Sequence, residues 1–274
     1  MTKTIMLIHG AWMTPSSWDR FRARYEARGY TVVTPAWPFV QGAPSAQRAS
    51  PDPRLGKLGV KDIVDHYEAE IRKLPEQPIL MGHSFGGLFV QLLLDRGLGA
   101  AGVAIDPGAP FGILVHPVAV LTSLPVFTTW NAWNKALPFT FESFRKGFAN
   151  TLPDSQMRAE YEAQCVPSPG RIFYDVVLGR GARVKWKNPR RAPLLLVAAE
   201  HDRTVPTPMV RANYKAQTKA ASATDFHLFY GRSHYLCNEA GWEDVADYCL
   251  DWAVAHLPAS GRPPEARPAL AAVA

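Results

Sequence analysis

The sequence predicts an α/β fold, in which a mostly parallel, doubly wound sheet has helices on both faces and carries an inserted helical cap. Short apolar runs alternate with helical patterns, and one long interruption contains no clear strand. A chain of 274 residues, 47% hydrophobic and 20% charged, is long enough for one large globular domain. We predict a core at 1–107 and 192–257, a cap at 108–191 and a disordered tail at 258–274.

Six short apolar or β-branched runs are the predicted strands. They are Thr4 to Ile8, Thr31 to Thr34, Pro78 to Met81, Gly102 to Ile105, Pro193 to Ala198 and Asp225 to Phe229. Most of them are separated by helical patterns, which is the arrangement of parallel strands joined by crossover helices.

Helical spacing of apolar residues predicts helices between the strands and at the C-terminal end. The apolar positions are Trp18, Phe21 and Tyr25, then Ile63, Val64, Tyr67, Ile71 and Leu74, and finally Trp242, Val245, Cys249, Trp252 and His256. A further helix over Leu88 to Leu94 is apolar on nearly every side, so it should be buried more completely than the others.

The predicted cap is rich in aromatic residues, which suggests helices packed against something apolar. Aromatic side chains supply apolar area with few polar groups, so Phe127, Trp130 and Trp133 are candidate walls of a substrate pocket. The substrate is then expected to be apolar, with an aromatic or medium-chain acyl group. The alternative is that these rings form the cap's own core.

Charge and composition limit the expected partners. The net charge of +6 is partly concentrated in RGARVKWKNPRR, 180–191, which we interpret as a solvated segment because no nucleic-acid module surrounds it. The N-terminus has no signal-peptide layout, and no apolar run reaches the roughly 20 residues of a bilayer span. We expect a cytoplasmic monomer or homodimer that binds a small molecule, neither nucleic acid nor membrane.

Cys165, Cys237 and Cys249 are expected to be free, buried thiols.

The motif Gly82-His83-Ser84-Phe85-Gly86 lies directly between a predicted strand and a predicted helix, where the G-x-S-x-G pattern indicates a nucleophile. So sharp a turn strains the serine and leaves no space for side chains two positions away, which explains Gly82 and Gly86. Ser84 Oγ is therefore expected at the carboxyl edge of the sheet. Phe85 is expected to contribute its backbone N–H, rather than its ring, as an oxyanion donor.

A serine nucleophile needs a base that a third group orients. His234 follows the last predicted strand and is the candidate base. Asp202 follows the fifth strand and is the candidate acid, with Asp106 and Glu200 as alternatives. The sequence contains no H-E-x-x-H motif or Cys/His ligand cluster, so we expect no metal and no other cofactor.

Four motifs resemble those of the α/β-hydrolase superfamily, from Thr4 to about Leu257. They are HGAW after the first strand, GHSFGG at the turn, EHDRTVP after the fifth strand and GRSH after the last. The order of nucleophile, acid and base along the chain is also that of the superfamily.

The resemblance implies further site residues. The residue after the His-Gly pair supplies the second oxyanion donor in such enzymes, which here is the backbone N–H of Ala11, and Trp12 would be a pocket wall. HGAW is also similar to the plant methylesterase and hydroxynitrile lyase branch, although MTPSSW after it departs from that branch's more glycine-rich continuation.

We therefore expect a serine hydrolase that cleaves a carboxylic ester or lactone of a small apolar substrate through an acyl-enzyme on Ser84. An amidase, a carbon–carbon hydrolase, a perhydrolase or a hydroxynitrile lyase would use the same triad, and the lyase would need a cation such as Lys135 or Lys146 over the serine. A serine at the turn argues against epoxide hydrolase and haloalkane dehalogenase chemistry, which needs a carboxylate. The alternative from another class is a non-catalytic small-molecule receptor.

Overall fold

A computed structural model describes residues 2–257, and its centre is a six-stranded parallel sheet of order β2-β1-β3-β4-β7-β8. The strands are β1 (Thr4–Ile8), β2 (Thr31–Val33), β3 (Ile79–His83), β4 (Ala101–Ile105), β5 (Ala136–Leu137), β6 (Ser168–Pro169), β7 (Leu194–Ala199) and β8 (Thr224–Phe229). The short strands β5 and β6 pair antiparallel in a separate sheet.

Ten helices accompany the strands in the part of the chain that the structure describes. They are α1 (Asp19–Ala27), α2 (Pro44–Ala49), α3 (Val60–Arg72), α4 (Phe85–Asp95), α5 (Pro117–Thr128), α6 (Phe141–Ser143), α7 (Asp154–Gln164), α8 (Arg171–Leu178), α9 (Thr207–Gln217) and α10 (Trp242–Ala255). Helix α6 runs directly into a π-helical turn, Phe144–Phe148.

The predicted fold class is confirmed. Each of the six predicted strands is present, with ends that shift by no more than two residues. Successive side chains of the central strands point to opposite faces, and this alternation divides the core in two. On one face, Ile5 and Leu7 of β1 pack in the same cluster as residues of α1 and α10. On the other, Met6 and Ile8 pack with residues of α3, α4 and α9.

Helix α4 is the most completely buried helix, as its sequence predicts. Every residue from Phe85 to Leu94 is buried, because the helix follows the central strand β3 and is covered by neighbouring elements. Its first residue therefore lies at the middle of the sheet's carboxyl edge. That edge is where open parallel sheets bind their ligands.

The segment between β4 and β7 adds no strand to the main sheet within the described residues. It contains α5 to α8 and the β5–β6 pair, which the sequence does not predict because a ladder of two residues leaves no readable periodicity. The predicted disordered tail, 258–274, lies outside the described residues. Within 2–257, every helix is too short or too polar to span a bilayer.

Candidate active site

Ser84 lies in the turn between β3 and α4 with φ 56° and ψ −122°, a region that residues other than glycine rarely adopt. Four backbone hydrogen bonds hold it there. Its N–H donates to the Ile105 carbonyl at 2.9 Å. Its carbonyl accepts from the N–H groups of Gly87, Leu88 and Gly108 at 2.9, 3.2 and 2.8 Å. Although Ser84 precedes the first helical residue, its hydroxyl does not cap the helix and lines a cavity instead.

The glycines of the turn make room for close backbone approaches. A Cβ atom on Gly82 would lie 2.2 Å from the carbonyl oxygen of Gly86, and one on Gly86 would lie 2.0 Å from that of Ile8. A Cβ atom on Gly10 would lie 2.8 Å from Ser84 Cβ. The turn after β1 therefore packs directly against the turn that carries Ser84.

His234 and Asp202 form a buried pair. His234 Nδ1 is 2.5 Å from Asp202 Oδ2, and neither residue is more than 4% exposed. The other carboxylate oxygen, Oδ1, accepts from the backbone N–H groups of Thr204 and Val205, both at 2.7 Å. Because the carboxylate only accepts hydrogen bonds, Nδ1 of His234 carries the proton and Nε2 presents its lone pair.

The loop that carries His234 is held on two sides. The Glu239 carboxylate accepts from the N–H and the hydroxyl of Ser233, at 2.9 and 3.0 Å. His83 donates from Nε2 to the His234 carbonyl at 2.8 Å, and burial lowers the pKa of His83 well below its ordinary value, so this imidazole stays neutral. The ring of Phe148 meets the His234 ring edge-on, with 4.6 Å between centroids.

Nε2 of His234 is buried and has no hydrogen-bond partner among the described residues. The Ser84 hydroxyl therefore makes no hydrogen bond with it in this structure. Catalytic hydrogen bonds are often long without substrate and tighten when substrate binds. The ring of His83, one residue before Ser84, lies 4.6 Å from the His234 ring between centroids, which places the unpaired base next to the turn that carries the serine.

The three acids considered from the sequence lie in different environments. Asp202 hydrogen-bonds His234, whereas Glu200 is exposed. Asp106 is fully buried at the end of β4; its Oδ1 accepts from the Ala199 N–H at 2.8 Å, and its Oδ2 is unpaired, 4.0 Å from His234 Nδ1. Burial, together with the charge of Asp202, raises the pKa of Asp106 well above its usual range. Burial therefore favours the neutral, protonated form of Asp106 next to the pair.

Two backbone N–H groups beside Ser84 have no acceptor. Among the hydrogen bonds of residues 2–257, neither the N–H of Ala11 nor that of Phe85 donates. His9 holds the Ala11 turn in place, because its Nε2 accepts from the Trp37 N–H at 3.2 Å and its Nδ1 donates to the Gly10 carbonyl at 2.9 Å. Burial lowers the pKa of His9 to about 4, which keeps it neutral. Both N–H groups are suited to an oxyanion.

The cavity beside Ser84 has a volume of about 590 Å³ and a mostly apolar wall. Trp12 forms part of this wall, stacked on Phe139 at 4.5 Å and close to Phe173 at 5.0 Å, and its Nε1 donates to the Leu137 carbonyl. Phe127 also lines it. Phe85 is also among the residues that line the cavity, and its ring lies 4.9 Å from that of Phe173, centroid to centroid.

Trp130 and Trp133 do not line this cavity, contrary to the expectation from the sequence. Trp130 is 83% exposed, and Trp133 lines a separate cleft together with Arg171, Tyr174 and Asp175. Both follow the C-terminal end of α5. Aromatic content alone does not tell which side of the segment faces the serine.

Other residues of the cavity wall were not predicted from the sequence. Phe173 and Val177 come from α8, and Met209 comes from the first turn of α9. The available signal was the helical spacing of apolar residues in α8. Of the two lysines considered for a lyase, Lys146 lines the cavity but pairs with Glu142 at 2.6 Å, and Lys135 does not line it.

His83, Asp106 and His234 bring three possible metal-ligand atoms within 4.8 Å of one another. Nε2 of His83 and Nδ1 of His234 already hydrogen-bond protein groups, and burial favours the protonated form of Asp106. This donor set fits a hydrogen-bond network better than a cation, because metal binding requires deprotonated ligands.

Solved structures of low sequence identity share the fold. A monoacylglycerol lipase from Paleococcus ferrophilus aligns with a TM-score of 0.66 at 20% identity, over 93% of this chain and 96% of that chain. A pyrethroid hydrolase from Sphingobium faniae JZ-2 aligns with a TM-score of 0.67 at 19% identity, over 93% and 98% of the two chains. A methylesterase from Arabidopsis aligns with a TM-score of 0.67 at 15% identity, over 93% and 99%.

Comparison of the sequence itself identifies the family. No protein with a curated description matches it. The profile of the alpha/beta hydrolase family matches residues 5–264, which include the whole main sheet except its first residue, Thr4, and all the site residues described above. The parallel sheet and the strained serine after its central strand agree with that match, and the chain belongs to the alpha/beta hydrolase family.

Proposed function

We propose that this protein is a serine hydrolase that cleaves a carboxylic ester or lactone of a small apolar substrate. The observation that carries the proposal is the strained Ser84, whose uncapped hydroxyl lines the cavity while the buried His234–Asp202 pair leaves Nε2 unpaired. The names of the similar structures, a monoacylglycerol lipase, a pyrethroid hydrolase and a methylesterase, support ester hydrolysis in general.

In the first step of the proposed mechanism, His234 Nε2 takes the proton of the Ser84 hydroxyl while Oγ attacks the ester carbonyl carbon. The negative charge that develops on the carbonyl oxygen is stabilised by the N–H groups of Ala11 and Phe85, with the dipole of α4 adding to the second. Asp202 stabilises the imidazolium that forms. The protonated His234 then gives its proton to the leaving alcohol, and an acyl group remains on Ser84.

In the second step, His234 Nε2 takes a proton from a water molecule whose oxygen attacks the acyl carbon. Collapse of the tetrahedral intermediate releases the acid, and the proton returns from His234 to Ser84 Oγ. The chain thus ends the cycle unchanged. A lactone follows the same steps, with the alcohol and the acid parts remaining one molecule.

The cavity wall supports an apolar acyl group. Trp12, Phe85, Phe127 and Phe173 offer aromatic surface close to Ser84, with few polar groups to fix a charged or sugar-like substrate. A hydroxynitrile lyase would need an unpaired cation over the serine, and the ion pair of Lys146 with Glu142 does not supply one. A cytoplasmic location belongs to the same proposal and is supported by the three free, buried cysteines.

The test is hydrolysis of p-nitrophenyl acyl esters and of lactones by the purified protein. The proposal predicts continued release of p-nitrophenol over many turnovers, with Ser84→Ala as the inactive control. A single burst of one p-nitrophenol per protein molecule would instead identify a receptor that traps its ligand. Absence of fluorophosphonate labelling at Ser84 would contradict the nucleophile assignment.

A further inference from the structure

A large part of the surface around α5 is apolar and exposed. From Pro107 to Asn134 the sequence contains no Asp, Glu, Lys or Arg. The exposed apolar residues of this stretch and of α8 form what we term the apolar platform: Leu114, Val115, Val120, Leu121, Leu124, Phe127, Trp130, Trp133, Val177 and Leu178. Large exposed apolar patches mark interaction sites.

The mouth of the cavity lies within this platform. Val115, Leu121, Phe127 and Val177 are exposed to solvent, and the same side chains line the cavity that contains Ser84. Any partner that covers the platform therefore also faces the entrance of the cavity.

Cationic residues frame the platform. The Arg183 guanidinium lies 3.9 Å from the ring centroid of Phe111, before α5. Beyond the other end of α5, Arg171 donates to the carbonyl of Trp133 at 3.4 Å. Beside the middle of α5, Arg203 lines the cavity and its carbonyl accepts from the Thr122 hydroxyl, whereas Lys146 is paired with Glu142.

The segment that contains the platform has the same net formal charge as the whole protein. Residues 108–191 contain eleven Lys and Arg but five Asp and Glu, which amounts to +6, the net charge of the entire chain. The remaining residues contain equal numbers of the two signs. Not all of this excess surrounds the platform: Lys185 and Arg191 lie near the end of α4 and the start of β8. Arg171 and Arg183 of the same segment lie beside the platform.

Two possible partners of the platform interact differently with these cationic residues. A second copy docked by two-fold symmetry would bring the same patch onto itself and place the cationic frames close together. An anionic lipid surface satisfies both features, because exposed Leu, Val and Trp side chains enter the boundary between headgroups and acyl chains while Lys and Arg attract the lipid phosphates.

We propose that the apolar platform docks on an anionic lipid surface, so that the mouth of the cavity faces the lipid. This differs from the expectation, drawn from the sequence, that no membrane is a partner. Docking is peripheral, and no helix needs to cross the bilayer. The consequence for substrate delivery rests on the proposed ester hydrolysis, but docking itself does not.

The test is co-sedimentation of the Ser84→Ala protein with phosphatidylcholine vesicles that do or do not contain phosphatidylglycerol. The platform variant is Leu114→Asn/Trp130→Asn, since these side chains are 88% and 83% exposed and neither lines the cavity. The control is Tyr230→Asn, because Tyr230 is 73% exposed and lies outside the platform.

We expect the Ser84→Ala protein to bind the anionic vesicles at least about tenfold more strongly than the neutral ones. The platform substitutions should weaken binding by about tenfold, and Tyr230→Asn should leave it unchanged. Equal binding with and without the platform substitutions would overturn the proposal. So would a dimer in solution that these substitutions dissociate, combined with no vesicle binding. Because the assay uses the inactive variant, its outcome is independent of whether the wild-type protein hydrolyses esters.

Discussion

Ser84 is held in a backbone conformation that costs about 1–3 kcal/mol for a residue other than glycine. The hydrogen bonds with Ile105, Gly87 and Gly108 maintain it, so the surrounding structure overcomes the strain. Because the Ser84 hydroxyl does not cap α4, the strained conformation does not stabilise the fold. We therefore interpret it as the cost of presenting Oγ to the cavity.

Substitution of the triad residues should abolish hydrolysis without unfolding the protein. Ser84→Ala and His234→Ala are each expected to lower kcat by a factor of about 10⁴ or more, and Asp202→Asn somewhat less. Because the three act as a unit, the double variant Ser84→Ala/His234→Ala should lose little beyond either single one. Initial rates with p-nitrophenyl esters, together with far-ultraviolet circular dichroism, check this; additive losses would contradict a shared mechanism.

The two buried aspartates should respond differently to conversion into Asn. Because burial favours the neutral form of Asp106, Asn, which also offers a donor and an acceptor, should keep kcat within about threefold. Asp202→Asn should lower kcat by about 10³-fold or more, because Nδ1 of His234 loses its acceptor. Full activity of Asp202→Asn together with inactive Asp106→Asn would show that the acid is misassigned.

Asp106 also predicts a pH dependence of stability. Its pKa is raised by burial in the folded state, so between about pH 4 and that raised pKa the unfolded chain binds one proton fewer than the folded one. The contribution of Asp106 to the free energy of unfolding is complete below about pH 4. Above that pH it declines by about 1.4 kcal/mol per pH unit. Urea unfolding between pH 5 and 8 should show Asp106→Asn gaining stability relative to the wild type as pH rises. A constant difference would contradict a protonated Asp106.

At the scale of elements, the turn between β3 and α4 depends on glycines. Gly82→Ala and Gly86→Ala should each lower the free energy of unfolding by more than about 3 kcal/mol, since the new Cβ atom would meet backbone at 2.2 or 2.0 Å. Gly29→Ala is the control: its φ is +81° but its surroundings are open, so only about 1 kcal/mol is expected. If urea unfolding showed equal losses of stability for Gly82→Ala and Gly29→Ala, the close approach of the Gly86 backbone to Gly82 would be contradicted.

The elements of the sheet were predictable because their signals are local. The strands are apolar runs with turn residues at their ends, and G-x-S-x-G between a strand and a helix has a direct physical reading. The position of Asp202 after β7 and His234 after β8 follows from parallel strands that end at one edge. Glu239, which anchors the His234 loop, had no such signal because its partner Ser233 is recruited only by the folded loop.

The inserted segment was predictable only as helical and aromatic. Which of its rings reach Ser84 depends on how α5, α8 and the β5–β6 pair lie over the sheet, and no spacing in the sequence encodes that. Phe127 therefore lines the cavity while Trp130, a few residues further on, is exposed to solvent. Contacts between segments distant in the sequence determine whether each ring is buried or exposed, and local helix propensity does not.

At the scale of the whole molecule, the sheet edge supplies the reacting groups and the inserted segment supplies the apolar walls. Hexanoyl or phenylacetyl esters should therefore have a kcat/KM at least about tenfold above that of acetyl esters, since each buried methylene contributes about 0.8 kcal/mol. A series of p-nitrophenyl esters of increasing acyl length measures this. Acetyl esters as the better substrates would contradict an apolar acyl site.

The central claim, an acyl-enzyme on Ser84, has one most direct measurement. The protein is mixed with p-nitrophenyl hexanoate, quenched in acid within the first turnover, digested and analysed by mass spectrometry. We predict a hexanoyl group on the peptide that contains Ser84, no adduct in Ser84→Ala, and continued turnover in the unquenched reaction. Continued turnover by Ser84→Ala, or an acyl group on any other residue, would contradict the account.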